Sequence, residues 1–353
     1  MKNRNESNNN TNYIPIIKVE NLVKSFPIKG GGYFSKKKNV LKAVDNVSFE
    51  IYKGETLGLV GESGCGKSTL GRNILRLQEP TDGKVLFYNQ NILEYKKKDL
   101  RKVRKQMQIV YQDPFGSLNP RFTIGQSIGE MYEIHGIAFG KEKERKVKEL
   151  LETVGIDSNR YDNYPHEFSG GQRQRIGIAR ALALNPEFIV ADEPVSALDV
   201  SVQSQIINLL MQLKKDLGLT MLFIAHGLNV VRHISDRVGV MYLGNLVEIS
   251  GTDNIFDKPM HPYTAALLST VPDIDTTIKK DRIVLKGEVP SPASPPSGCK
   301  FRTRCPLATE RCKKDVPSLI EVESNHFVAC HFPLVDGMTI KQALANKNKN
   351  KEF

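Results

Sequence analysis

The sequence predicts an α/β fold built on a parallel sheet, and three observations carry that expectation. From Thr56 onward, short apolar runs ("TLGLV", "FIVAD", "TMLFIAH", "RVGVMYL") alternate with helical patterns, as strands buried on both faces do between crossover helices. The segment "GLVGESGCGKST" follows the first run and opens "KSTLGRNILRL", so a glycine-rich turn joins a strand to a helix, the context a phosphate-binding loop requires. "FIVADEP" ends in adjacent acids, Asp192 and Glu193, at the carboxyl end of a strand, where α/β sheets bind ligands.

The remaining elements follow in order. Residues 1–14, rich in Asn, read as a disordered leader. "IIKVENLVKSF" has the β-branched content of a strand, "GGGYFSKKKN" reads as a flexible hairpin insertion, and "AVDNVSFEIY" as the next extended run. Past "MYLGNLVEISG" comes "KPMHPYTAALL", then "PSPASPPSG", whose proline density marks a linker. The main boundary is expected near Lys258, and "ALANKNKNKEF" from Ala343 reads as a charged tail. At 353 residues, 40% hydrophobic and 25% charged, the chain suits one large or two modest globular domains. No apolar run approaches the roughly 18 to 20 residues of a bilayer span, and the polar start lacks the apolar region of a signal peptide. Neither insertion nor export is expected. The net charge of +11 lies partly in lysine runs at Lys36 to Lys38, Lys96 to Lys98 and Lys347 to Lys351. Runs of this kind read as solvated faces, and no nucleic-acid partner is expected.

Within the glycine-rich turn, Gly61, Gly64 and Gly66 let backbone N–H groups curl around a β-phosphate, and the helix N-terminus adds positive potential. Lys67 is placed to reach β/γ oxygens and Ser68 to ligate Mg²⁺. Ser63, Cys65 and Thr69 complete the loop residues expected at the nucleotide, with Cys65 a small space-filling residue and not a redox group. Asp192 is expected to orient Mg²⁺, and Glu193 to polarise the attacking water.

Between these motifs stands "HEFSGGQRQRIGIARAL", where Ser169, Gly170, Gly171, Gln172 and Arg173 match the signature of ATP-binding cassette (ABC) ATPases. Small residues at a helix start resemble a second anion site. The resemblance implies an ABC-type phosphate-loop ATPase with a RecA-like core, an antiparallel β-rich subdomain and a helical signature subdomain at about 115–180. It also implies a head-to-tail dimer in which the signature of one subunit closes on ATP held by the other. By the same resemblance Gln112 in "YQDPFGSLNP" is the Q-loop residue that joins Mg²⁺ to the transport machinery. Asp199 in "SALD" belongs to the D-loop, and His226 is the switch histidine at the γ-phosphate. Phe26 is the expected adenine-stacking aromatic, with Tyr33 or Phe34 as substitutes. One departure is Gly227, where the family commonly has Asp.

The segments "MQIVYQDPFGSLNPRFTIGQSI", "ADEPVSALDVSVQSQIINLL" and "KPMHPYTAALLSTVP" resemble ATP-binding subunits of bacterial oligopeptide and dipeptide importers, closest to the F-type subunit of the oligopeptide system. The resemblance covers Ile16 to Val335. It implies an ATPase domain over 15–258, a C-terminal extension over 259–335 and a charged tail over 336–353. A paralogous ATPase is the implied partner in a heterodimer, beneath two transmembrane permeases at the cytoplasmic face of the membrane, fed by an extracytoplasmic peptide-binding protein. Phe115 and Leu118 would border the groove for a permease coupling helix. The implied activity is ATP hydrolysis that energises peptide uptake. Other readings are a related importer, for nickel or glutathione, and a soluble ABC ATPase acting on nucleic acid; a single cassette without a coiled-coil insertion weighs against the last.

Four of the five cysteines, Cys299, Cys305, Cys312 and Cys330, crowd near the C-terminus. In a reducing cytosol such thiols favour metal binding over disulfides. Their spacing lacks tight Cys-x2-Cys knuckles, and four thiolates drawn from loops suit an iron–sulfur cluster, with zinc as the alternative. The family pattern "GCxFxxRCP…C…VACH" implies a [4Fe–4S] cluster on these four residues. Its expected role is a staple for a segment with little apolar area. His326 and His331 flank the last cysteine and are expected beside the cluster or at the surface.

Overall fold

The computed structural model describes residues 15–28, 40–270 and 283–349. The expected leader and the insertion bearing Tyr33 and Phe34 lie outside the described residues. Among the described residues, twelve strands form two sheets. They are β1 (Pro15–Pro27), β2 (Val40–Tyr52), β3 (Thr56–Val60), β4 (Asp82–Phe87), β5 (Gln90–Asn91) and β6 (Met107–Val110), followed by β7 (Phe188–Asp192), β8 (Thr220–Ile224), β9 (Arg237–Tyr242), β10 (Asn245–Gly251), β11 (Ile320–Glu323) and β12 (His326–Val328).

The smaller sheet is antiparallel, in the order β2-β1-β4-β5. Its buried side chains, among them Ile17, Val19, Val47, Phe49, Ile51 and Val85, form one face of a core. The larger sheet runs β11-β12-β10-β9-β3-β8-β7-β6. From β9 to β6 its neighbours are parallel, and β3, β7 and β8 are buried at every residue. The period of two explains why such strands carry no polar face. Phe188 and Val190 of β7, with Leu222 and Ile224 of β8, join the core shared with the small sheet and with Leu70 and Ile74 of the helix Lys67–Ile74. Their neighbours Ile189, Ala191, Met221 and Phe223 join a second core on the opposite side. Each large apolar side chain buried this way contributes about 1.5–3 kcal/mol.

That second core extends into the helices Ile124–Ile134, Gly140–Thr153 and Gly170–Leu182 through Ile128, Val147, Leu151 and Ile176, with Phe168 just before the last helix. Thr123 and Gln126 form a capping box that starts the first of these helices. Leu118 is buried in this core, while the side chain of Phe115 lies outside the described residues.

After Lys258 the chain returns to the same sheet. β12 pairs antiparallel with β10, Glu248 opposite Val328 and Ile249 opposite Phe327, and β11 pairs outside β12. The buried apolar residues that this segment gathers into a cluster of its own are Leu307, Leu334 and Ile340. Where a charged tail was expected from Ala343, a helix, Ile340–Lys349, continues. Ile340, Ala343 and Leu344, at helical spacing i, i+3, i+4, present an apolar stripe to Leu307 and Leu334. The lysines dominate the composition there, but the stripe decides the packing. Among the described residues no helix is long and apolar enough to cross a membrane.

Candidate functional site

β3 ends at Val60, the loop 61–66 follows, and the helix Lys67–Ile74 begins. Two of its glycines are required by space as well as by backbone conformation. Gly61 has φ +153°, and a Cβ there would lie 2.2 Å from the Met241 carbonyl oxygen. Gly66 has φ +107°, and its Cβ would lie 2.0 Å from the Ala43 carbonyl oxygen. Lys67 is buried, its Nζ donating to the Gly61 carbonyl at 2.7 Å and the Glu62 carbonyl at 3.3 Å. The ammonium is thus folded back against the loop. Cys65 turns its thiol into the core, where burial pushes its pKa up against the opposing charge of Lys67. Its side chain serves packing.

The carboxyl ends of β7 and β8 bring the other groups to the loop. Ser68 Oγ donates to Asp192 Oδ1 at 2.6 Å, pairing the hydroxyl and carboxylate assigned to Mg²⁺; hard oxygen donors suit that ion. Glu193, one residue on, has φ +51° and is buried. His226 Nε2 lies 2.9 Å from Glu193 Oε1, while Glu193 Oε2 is buried without a hydrogen-bond partner. A buried carboxylate oxygen left free is costly, and it is the arrangement a base needs to take a proton from water. Gln112 lies exposed two residues beyond β6, whose Val110 pairs with Ala191 of β7, so it stands at the same end of the sheet. In β1, Phe26 pairs with Leu41, two residues from the Ala43 carbonyl that abuts Gly66.

The signature residues are not brought into this constellation. Ser169 caps the helix Gly170–Leu182, its hydroxyl accepting from Gln172 N and its N–H donating to Gln172 Oε1. Gly171 packs so closely on Val202 that a Cβ would meet it at 2.4 Å. Asp199 starts the helix Val200–Leu217 with no side-chain capping bond. Ser169 and Asp199 are exposed, as is Val200 at 79%, while Gly170, Gly171 and Gln172 are half-buried. Gly227 has an ordinary backbone, φ −95°, with open space at its Cβ position. An Asp would fit, so the departure from the family pattern is not imposed by the loop.

The four cysteines of the C-terminal segment form no metal cage among the described residues. Cys299 N donates to the Cys312 carbonyl at 2.9 Å. Burial, with added repulsion from Cys305, Cys299 and Cys312, pushes the Cys330 thiol up to about 12. Among the described residues no group of three or more Cys, His, Asp or Glu side chains is gathered to hold a metal ion, so the iron–sulfur expectation gains no support from side-chain geometry. Burial favours the neutral thiol, and neutral thiols have little reason to converge. His326, expected beside the cysteines or at the surface, is instead fully buried, 2.7 Å from Glu248 Oε1. His331 Nε2 lies 3.0 Å from the Asp315 carbonyl.

Sequence reasoning missed the polar groups that tie the C-terminal segment to the loop: Glu62, Asp45, Lys300, Arg304 and the Tyr263 hydroxyl. Spacing carried no signal for them, because Glu62 and Arg304 are 242 residues apart.

Two family descriptions match the chain: "ABC transporter" over residues 44–196 and "Oligopeptide/dipeptide transporter, C-terminal region" over residues 247–312. The oligopeptide transport ATP-binding protein AppF of Bacillus subtilis (strain 168) is 56% identical over 319 residues, covering 90% of this chain and 97% of AppF. Among solved structures, a dimeric ATP-binding cassette in a post-hydrolysis state bound to ADP and Pi aligns with TM-score 0.59 and 29% identity, covering 67% of this chain and 98% of that one. CbiO1 of Clostridium perfringens, part of an ABC transporter complex, aligns with TM-score 0.58 and 29% identity, covering 69% and 90% of the respective chains.

Proposed function

Because this chain belongs to the family of ATP-binding proteins of ABC oligopeptide importers, we propose that it hydrolyses ATP at the loop where β3, β7 and β8 end. The observation that carries this reading is the pairing of Ser68 with Asp192 and of His226 with Glu193 at one end of the sheet. Backbone N–H groups of the loop 61–66 receive the phosphates, with Ser63 and Thr69 beside them and Phe26 against the adenine. Lys67 moves its hydrogen bonds from the Gly61 and Glu62 carbonyls to β/γ oxygens. Ser68, Asp192 and Gln112 would hold Mg²⁺, which when bound neutralises phosphate charge. Glu193 accepts a proton from the attacking water at Oε2, and His226 keeps Oε1 engaged and meets the γ-phosphate. Ser169, Gly170, Gly171 and Gln172, with Asp199 alongside, close on the nucleotide of a paralogous partner ATPase.

The assembly we infer places this pair of ATPases on the cytoplasmic face of two permeases supplied by an extracytoplasmic peptide-binding protein. The transport of peptide is tested by ATP hydrolysis in membranes carrying chain, permeases and partner ATPase. Stimulation by peptide with its binding protein, abolished in Glu193→Gln, is expected. Activity indifferent to peptide but raised by DNA, RNA or ribosomes would overturn it.

Cys299, Cys305, Cys312 and Cys330 are the residues that would hold a [4Fe–4S] cluster. The family pattern on these four residues supports this reading. When bound, a cluster draws the thiols into thiolates and ties their loops together. Anaerobically purified protein is expected to contain iron and inorganic sulfide, both lost in Cys330→Ser; zinc in their place would overturn it.

A further inference from the structure

The phosphate loop has an attachment besides its own strand and helix. Arg304, in "GCKFRTRCP", sets both terminal nitrogens on the Glu62 carboxylate, Nη1 2.8 Å from Oε2 and Nη2 3.0 Å from Oε1. Glu62 is the second residue of the loop. The pair is shielded, with Arg304 9% and Glu62 27% exposed. Glu62 is held at two further atoms, its N–H donating to the Tyr263 hydroxyl at 3.1 Å and its carbonyl accepting from Lys67 at 3.3 Å.

A second line reaches the far half of the loop. Lys300 Nζ donates to Asp45 Oδ2 at 2.9 Å and to the Leu243 carbonyl at 2.8 Å. Asp45 N donates to the Gly244 carbonyl, and Gly244 N donates to the Cys65 carbonyl, each at 2.9 Å. Between Lys300 and Arg304, Phe301 is buried with its ring 5.3 Å from those of both Tyr242 and Tyr263. One short segment of the C-terminal extension therefore grips the loop at both ends from behind.

We propose that Arg304 is a positioning residue for nucleotide binding: through its forked pair with Glu62, the cysteine-rich extension holds the phosphate loop in its binding shape. This rests on the reading of residues 61–68 as the ATP site. The physical reason is preorganisation. A loop with three glycines in six residues loses much conformational entropy when it wraps a phosphate, and a partner that fixes it beforehand removes that cost from binding. A guanidinium supplies two parallel charge-assisted bonds in one plane, which an ammonium cannot. The strand and helix flanking the loop restrain its ends, whereas Arg304 restrains the residue at which it turns.

The test is MgATP binding and steady-state hydrolysis by the full-length chain carrying Arg304→Lys, Arg304→Gln, Glu62→Gln or both Gln substitutions. Each single variant is expected to weaken ATP binding by about tenfold, the effect of about 1.4 kcal/mol, raising KM while kcat at saturation stays within about twofold. The double variant should be no weaker than either single one, since both remove the same interaction. Glu62→Gln substitutes no residue of the cysteine segment and keeps one amide oxygen to accept from Arg304, so it remains informative if Arg304 variants lose their fold. Unchanged ATP affinity in Glu62→Gln, or losses that add in the double variant, would overturn the proposal. Lys67→Ala is the separate control: if it leaves nucleotide binding intact, the ATP-site reading itself falls.

Discussion

The two halves of the large sheet share apolar packing but differ in how much polar pairing is added to it. In β9, β3, β8, β7 and β6, alternate residues serve two apolar cores, so the stabilisation is spread over many side chains. In β10, β12 and β11 and the segment around them, apolar side chains such as Leu246, Ile249, Phe301 and Val328 are buried too, but a set of shielded polar pairs is added to them: Glu248 with His326, Arg304 with Glu62, Lys300 with Asp45. Dispersed apolar contacts leave individual polar residues free for chemistry. Concentrated polar contacts make each charged residue structural, because burying one partner without the other is expensive.

One buried acid from each half puts this contrast at risk. Glu193→Gln should lower the ATPase rate by about 10²–10⁴-fold, the usual contribution of a general base, with thermal stability preserved; single-turnover assays and a melting curve measure both. Glu248→Ala should show the opposite profile. Glu248 accepts from Met260 N and His261 N and pairs with His326, and its removal should cost about 3–5 kcal/mol in urea unfolding. A stable Glu248→Ala protein would dissolve the distinction.

Acid sharpens it. Burial holds the imidazole of His261 neutral, its pKa pushed from 6.5 down to about 4. As pH falls below 6.5 the unfolded chain takes up a proton that the folded chain refuses until about 4. Stability from this group is therefore complete above 6.5 and lost across that window, by up to about 3 kcal/mol. The difference in slope between the native chain and His261→Asn, followed by denaturation at stepped pH, isolates it. The smallest effect belongs to the apolar half: Gly227→Asp, with open space and ordinary φ, should shift stability by less than about 0.5 kcal/mol.

Legibility in the sequence divides along the same line. Loop 61–68, Asp192, Glu193 and His226 could be read because each follows a short apolar run, and in a parallel sheet the ends of such runs meet at one edge. The C-terminal helix left no mark in the composition, because a three-residue apolar stripe shows only once there is a surface for Ile340 and Leu344 to pack on. His326 gave no sign of burial, since its partner Glu248 lies 78 residues away on another strand.

The sequence by itself determined what local periodicity and contiguous motifs encode: the parallel strands, the glycine turn that opens a helix, and the acids at a strand end. These depend on interactions among residues close along the chain, or on burial that every neighbouring strand demands alike. Only the tertiary structure decided that the cysteine-bearing segment joins the ATPase sheet as β12 and reaches Glu62 through Arg304. Those contacts join residues far apart in the chain, and no periodicity records which distant charge will face which once the apolar runs have packed.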